Sequence, residues 1–369
     1  WEGNVGVANL TWETVKKANI GLELGLWNAI ELQADYFKDR RENIFLQRQT
    51  MPGSAGFVQT PFQNFGIVTN QGIDLSLTAN KQVSKDFLIS ARGTFTYAKN
   101  KIIEQDEPLG VLGTNRSSTG YPIGQIFGLQ DEGLFTDADF VDGELIEGIP
   151  EHTFSKVRPG DIKYKDVNKD GVINEQDRTY IGNPEPDFTF GFGNSFSYKG
   201  FDLSINLTGS VGNEVVNWGR RELENPRGNN NILKSALDYA QLALIDPNGP
   251  DDYRNIQIVG GDPYACRMAI AKGTDDSNYR FSDRFVEDGS FLRIQSISFG
   301  YTFPRKWLAP IGIQNLKLYC NLQNVYTFTK YKGMDPEIGS ANQDALLTGF
   351  DNYRYPSPRI YTFGLNLTF

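Results

Sequence analysis

Apolar and polar residues alternate at every second position in nine separate stretches of this chain, and no other feature restricts its fold so strongly. In an extended strand successive side chains point to opposite faces, so a period of two makes one face apolar and the other polar. A helix would need a period of 3.6. The clearest stretches are adjacent: Phe188, Phe190, Phe192, Phe196 and Tyr198 oppose Thr189, Gly191, Gly193, Ser195 and Ser197. Directly after them, Phe201, Leu203, Ile205 and Leu207 oppose Asp202, Ser204, Asn206 and Thr208. The other seven lie at 20–26, 30–36, 73–79, 87–97, 297–303, 316–328 and 361–369.

The connections alternate in length. Residues 27–29, 81–86 and 199–200 form short links, whereas about 17 residues follow Arg48, about 80 follow Glu104, about 70 follow Asn217 and about 27 follow Tyr331. Loops this long are uncommon inside compact domains, and long loops at every second connection gather at one end of an antiparallel up-and-down sheet. The expected fold class is all-β: strands of a large antiparallel transmembrane β-barrel, with short turns at one end and long external loops at the other. No run of 18 apolar residues offers a spanning helix, and mean hydropathy is −0.42. Neither fact bears on a barrel, which crosses with short alternating strands.

A soluble β-sandwich or lipocalin-like barrel has the same period but turns its apolar face inward. A water-facing sheet carries many Lys and Glu, whereas the polar face here is mostly Gly, Ser, Thr and Asn. Tyr97, Tyr198, Tyr326 and Tyr361 stand near strand ends, where an interfacial girdle sits. Nine strands are too few to enclose an aqueous channel, so the remainder of the same barrel is expected outside this sequence. The start at Trp1 without an initiator methionine agrees with a piece of something longer, or a processed product.

Composition excludes several function classes. A formal charge of −9 argues against a grip on nucleic-acid phosphate. One histidine and two cysteines rule out a site of several imidazoles or four thiolates, and Cys266 and Cys320 imply no particular pairing. His152 lies in a Pro-flanked acidic stretch with no nucleophile elbow nearby, so no enzymatic activity is expected.

One loop carries a motif with its own chemistry. From Asp166 to Asp177, numbered one to twelve, oxygen side chains fall at one (Asp166), three (Asn168), five (Asp170), nine (Asn174) and twelve (Asp177). Gly171 stands at the sharp turn, the Val172 carbonyl at seven and Ile173 at the apolar eighth place. This spacing supplies the six or more hard oxygen ligands that Ca2+ prefers, one of them through water. Asp177 replaces the usual Glu at twelve, as in dockerin-type loops. A calcium ion here would be structural, since a loop of about 80 residues loses much entropy on ordering.

Several segments resemble the SusC/RagA-type TonB-dependent outer-membrane transporters of Bacteroidetes. They are PGDIKY at 159–164, DRT at 177–179, IGNP at 181–184, FVEDGSFLR at 285–293, NVYTFTKYK at 324–332, and YPSPR at 355–359 with the terminal strand. The resemblance implies the C-terminal part of a 22-stranded plugged barrel in outer-membrane lipid, with the plug and earlier strands absent from this sequence. It also implies TonB-dependent import of glycan oligosaccharides or peptides, TonB being engaged through the missing N-terminal part, with a SusD-like lipoprotein closing the outer mouth. The rival class is a calcium-binding soluble or surface adhesin without transport.

The two long external loops are expected over 104–184 and 217–287. Trp218, Tyr239, Tyr253, Tyr264 and Tyr279 in the second are candidate substrate contacts, because sugar rings stack on aromatics; internal loop packing is the competing role. Leu233, Leu237, Ala240 and Leu244 are spaced as in a helix over 231–245. The terminal stretch 361–369 ends on Phe369, resembling the signal recognised by barrel-assembly machinery, and is expected to pair with the first strand of the complete barrel.

Overall fold

The structure is a computed structural model that describes residues 10–48, 61–106, 118–142, 144–226, 231–249, 255–262, 265–268, 278–340 and 347–369. All nine alternating stretches are strands: β1 (Thr14–Leu26), β2 (Ile30–Gln47), β3 (Phe62–Ser84), β4 (Phe87–Glu104), β5 (Phe188–Tyr198), β6 (Phe201–Val211), β7 (Phe291–Thr302), β8 (Asn315–Thr329) and β9 (Ile360–Thr368). They form one antiparallel sheet in chain order. Among the described residues β1 and β9 are its two edges, each paired on one side only.

The sheet is inside-out relative to a soluble protein. Ile73, Leu75 and Leu77 on β3, Phe192 on β5, Phe299 on β7, Leu318 on β8 and Leu365 on β9 are all exposed. The opposite face holds a lattice of small polar groups. Thr96 Oγ1 donates to Asp74 (2.7 Å), Asn206 Nδ2 to Ser296 Oγ (2.9 Å) and Ser298 Oγ to Asn321 (2.9 Å), while Lys317 Nζ lies 2.9 Å from Asp202. Only a solvent of hydrocarbon leaves the apolar face outward at no cost while the backbone groups satisfy one another.

Turns of two or three residues close one end. Trp27 and Asn28 (φ 54° and 49°) and Lys199 and Gly200 (φ 46° and 88°) are left-handed, as tight hairpins between twisted strands require. Residues 303–314, with helical turns Arg305–Leu308 and Ala309–Ile311, complete that end. Aromatic rings collect there. Tyr198 meets Phe87 at 5.8 Å, Phe201 meets Tyr301 at 4.2 Å and Tyr301 meets Phe303 at 4.9 Å between centroids, a girdle at one membrane interface. Tyr361, the second residue of β9, stands away from this end, opposite Leu322 on β8.

The described parts of the connections 105–187, 212–290 and 330–359 rise from the other end and pack on one another. One core joins Ile126, Val216, Phe281 and Phe350, with Ile181, Trp218 and Val286 against it; a second joins Leu129, Ile162, Tyr164 and Ile173, with Leu134, Phe154 and Cys266 against it. Each draws on more than one connection. Strand Glu214–Asn217 lies between Val286–Asp288 and Phe350–Asp351, tying the second connection to the third. The helix expected over 231–245 is corrected: one 3-10 segment, Lys234–Asp238, gives way to strand Gln241–Leu244, which pairs with Ile256–Gly260. Strand pairing supplies the backbone bonds that a short isolated helix would lack.

Candidate cation loop and ligand cavity

The 166–177 loop folds around its own side-chain oxygens. Asp166 accepts from the backbone N–H groups of Lys169 (2.6 Å) and Gly171 (2.8 Å), Asn168 from Asp170 (2.9 Å), Asp170 from Val172 (2.9 Å) and Asn174 from Gln176 (2.7 Å). Lys169 and Gly171 are left-handed (φ 62° and 84°), and Gly171 takes that conformation without strain. Ile173 is fully buried in the second loop core, and Val172–Ile173 runs parallel to Glu151–His152. Asp177 is buried, with its two oxygens accepting from Val167 (3.0 Å) and Asn174 (2.8 Å), so it fastens the start of the loop to its end.

Among the described residues no three His, Cys, Asp or Glu side chains converge on one point. A cation here would therefore draw on Asn168, Asn174, the Val172 carbonyl and water besides the carboxylates. That mixed hard-oxygen set fits calcium in kind.

A cavity of about 790 Å³ opens among the loops. One wall is the helix Trp218–Glu224, presenting Gly219, Arg220 and Leu223; others come from Lys234–Asp238, from residues 278–285 and from residues 332–334 and 351–355. Tyr239 and Tyr279 line it. Trp218 faces elsewhere: its ring lies 5.9 Å from Phe281 and 5.8 Å from Phe350, under the Arg221 guanidinium at 4.4 Å, so its contacts are those of core packing. Tyr253 and Tyr264 lie outside the described residues. Sequence reasoning missed Arg284, Lys332, Met334, Tyr353 and Tyr355, which line the cavity; only Lys332 and Tyr355 fall in segments noted, and those for family resemblance alone.

The charges around the cavity are mostly paired. Arg220 Nε lies 2.8 Å from Glu224 and Nη1 3.1 Å from Glu287, while Arg284 Nη1 lies 3.2 Å from Asp131. The Tyr331 hydroxyl donates to Asp351 at 2.5 Å. Burial raises the Tyr331 phenol, and the Asp351 carboxylate raises it further, so this hydroxyl stays a donor.

Two buried arginines anchor the loops. Arg293 on β7, 2% exposed, lies 2.5 Å from Asp335 and 2.7 Å from Glu337, joining the wall to the third connection. Burial raises the Asp335 carboxyl, but the N–H groups of Glu337 and Ser357 together with Arg293 outweigh it and hold the group below the ordinary range. Arg267 lies 2.6 Å from the fully buried Asp161. His152 packs among Phe135 (5.3 Å), Phe154 and Tyr164 (5.5 Å), where burial depresses its imidazole to about 4. Burial likewise pushes the Cys266 thiol up to about 11, and Cys266 and Cys320 are both free.

Residues 2–210 match the family described as TonB dependent receptor-like, beta-barrel. Over 98% of its length the chain is 30% identical to TonB-dependent receptor P3 of Formosa agariphila and 26% identical to TonB-dependent receptor SusC of Bacteroides thetaiotaomicron, covering 34% and 32% of those proteins. It thus spans about a third of the curated relatives it matches. Among solved structures, that of the RagAB peptide transporter superposes with a TM-score of 0.70 at 23% identity, over 99% of this chain and 36% of that one, a likeness of fold. The inside-out sheet and the family match converge: the chain belongs to the TonB-dependent receptor β-barrel family of outer-membrane proteins.

Proposed function

We propose that the full-length protein imports glycan oligosaccharides or peptides across the outer membrane in a TonB-dependent manner, with a SusD-like surface lipoprotein closing its outer mouth. The observation that carries this reading is the loop-end cavity, large enough at about 790 Å³ for a small oligomer. Its tyrosines offer faces to sugar rings, and its apolar floor between paired charges suits peptide side chains equally. The SusC relative and the RagAB peptide transporter support the transport class.

Uptake of labelled oligosaccharide and oligopeptide pools, measured in cells with the gene deleted and then restored, tests the proposal. Loss of one pool on deletion, reproduced when TonB is inactivated, is the expected result. Unchanged uptake of both pools overturns it. A surface lipoprotein is expected to co-purify with the tagged protein in mild detergent.

Calcium in the 166–177 loop is the second part of the proposal, supported by the donor spacing and the two left-handed positions. Asp170→Ala removes one carboxylate and is expected to weaken calcium binding about tenfold or more by calorimetry, while the barrel stays heat-modifiable. Equal affinity in the variant and the parent rejects the site.

A further inference from the structure

Residues 278–280 bridge the 166–177 loop and the cavity, where Asn278 and Tyr279 line one wall. Asn278 donates to Asp161 Oδ1 (2.8 Å) and accepts from the Ile162 N–H (2.8 Å), on the strand that leads into the loop; Asn278 also lines the cavity. Tyr279, buried, lines the cavity too, and its carbonyl accepts from Arg221 Nε (2.8 Å) on the helix Trp218–Glu224. Arg280 reaches the other way: its Nη1 donates to Glu175 Oε1 at 2.9 Å, with its guanidinium 4.0 Å over Phe154. The second oxygen of Glu175 lies 2.5 Å from Arg178. Glu175 occupies the tenth place of the loop, between the proposed ligands Asn174 and Asp177, and is not itself a proposed ligand.

We propose that calcium binding in the 166–177 loop stiffens this wall through Glu175–Arg280 and Asp161–Asn278, and so acts as a positive effector of whatever ligand the cavity takes. The proposal rests on the calcium reading above. The loop reaches the wall directly through Glu175–Arg280, the segment that leads into the loop reaches it through Asp161–Asn278, and the wall reaches the opposing helix by a third contact, so ordering the loop restrains both sides of the cavity. Ordering entropy lost when the cation binds is not lost again when the ligand binds. By linkage a cavity ligand must tighten calcium by the same factor.

The test uses the full-length protein in detergent, with calcium alone as the probe. Hydrogen exchange is followed in three segments: 166–177, 278–285 and 218–224. Calorimetry runs in parallel. In the parent, calcium is expected to slow exchange in all three, by about fivefold or more in the last two, a coupling of ordinary size. Glu175→Gln should keep calcium binding and loop protection yet lose most of the calcium effect on 278–285 and 218–224. Arg280→Met, which keeps an apolar stem over Phe154, should do the same. If calcium protects 166–177 while the other two segments exchange at unchanged rates in the parent, the coupling is wrong and the calcium site stands. If the variants respond like the parent, Glu175 and Arg280 do not carry it. If calorimetry finds no calcium binding, both fall together.

Discussion

The barrel wall and the loop assembly above it obey opposite burial rules within one chain. Among the described residues, Ile102 on β4 is the only buried large apolar side chain on any of the nine strands. Phe135, Ile162, Tyr164, Ile173, Val216, Phe281 and Phe285, all buried, belong to the long connections. The same hydrophobic residues thus turn outward in one region and inward in the other. The difference is in the solvent. Hydrocarbon gives apolar groups no reason to hide and gives backbone polar groups every reason to pair, so the wall is held by its ladder. Water around the loops reverses the first condition, so they are held by packed cores like a soluble domain.

This contrast is most severely tested by a large-to-small change in a loop core. Phe281→Ala is expected to destabilise the loop assembly by about 3–5 kcal/mol, opening it to protease, while the wall keeps its heat-modifiable mobility on gels. Collapse of the barrel in this variant would show that the two regions are one cooperative unit. Next in size is charge on the wall. Ile205 and Asn206 are neighbours in the middle of β6 on opposite faces, and Ile205→Arg should cost roughly 2–4 kcal/mol at mid-membrane depth. Asn206→Arg should assemble nearly as well as the parent, and equal heat stability of the two variants contradicts the facing.

A smaller effect separates the regions by pH. The ordinary His152 imidazole titrates near 6.5, and burial lowers it to about 4 in the loop core. Above pH 6.5 both folded and unfolded loops are neutral there. Between pH 6.5 and 4 only the unfolded loop binds the proton, so loop stability falls with falling pH, by up to about 3 kcal/mol, and levels off below 4. Hydrogen exchange across 126–182 should quicken from pH 7 to pH 5 while strand amides, corrected for intrinsic rate, do not. His152→Phe should remove this difference, and persistence of the same slope in the variant assigns it to another group.

The wall was almost fully legible because its information is local: period two needs only neighbouring residues, and the short turns at 27–29 and 199–200 follow from adjacent positions. The folding of 166–177 around its own side-chain oxygens was legible for the same reason, twelve consecutive residues with one glycine. The cavity was not. Tyr239 and Tyr279 could be named as aromatics in a long loop, but nothing in their surroundings separated them from Trp218, which packs into a core. The 231–245 stretch misled because apolar residues at helical spacing do not reveal that a strand partner waits at 256–260.

What the sequence by itself determined is the direction of each strand's apolar face, the ends at which long and short connections gather, and the turn of the 166–177 loop around its own oxygens, since all three are set by spacing along the chain. Tertiary structure alone decided which loops share a core, that Arg293 joins β7 to Asp335 and that Asp161 meets Arg267 and Asn278 more than a hundred positions away. It also decided that the 166–177 loop and the cavity meet across residues 278–280. Such contacts depend on loop closure over long separations, whose outcome is fixed by shape and charge complementarity in space and leaves no period in the sequence.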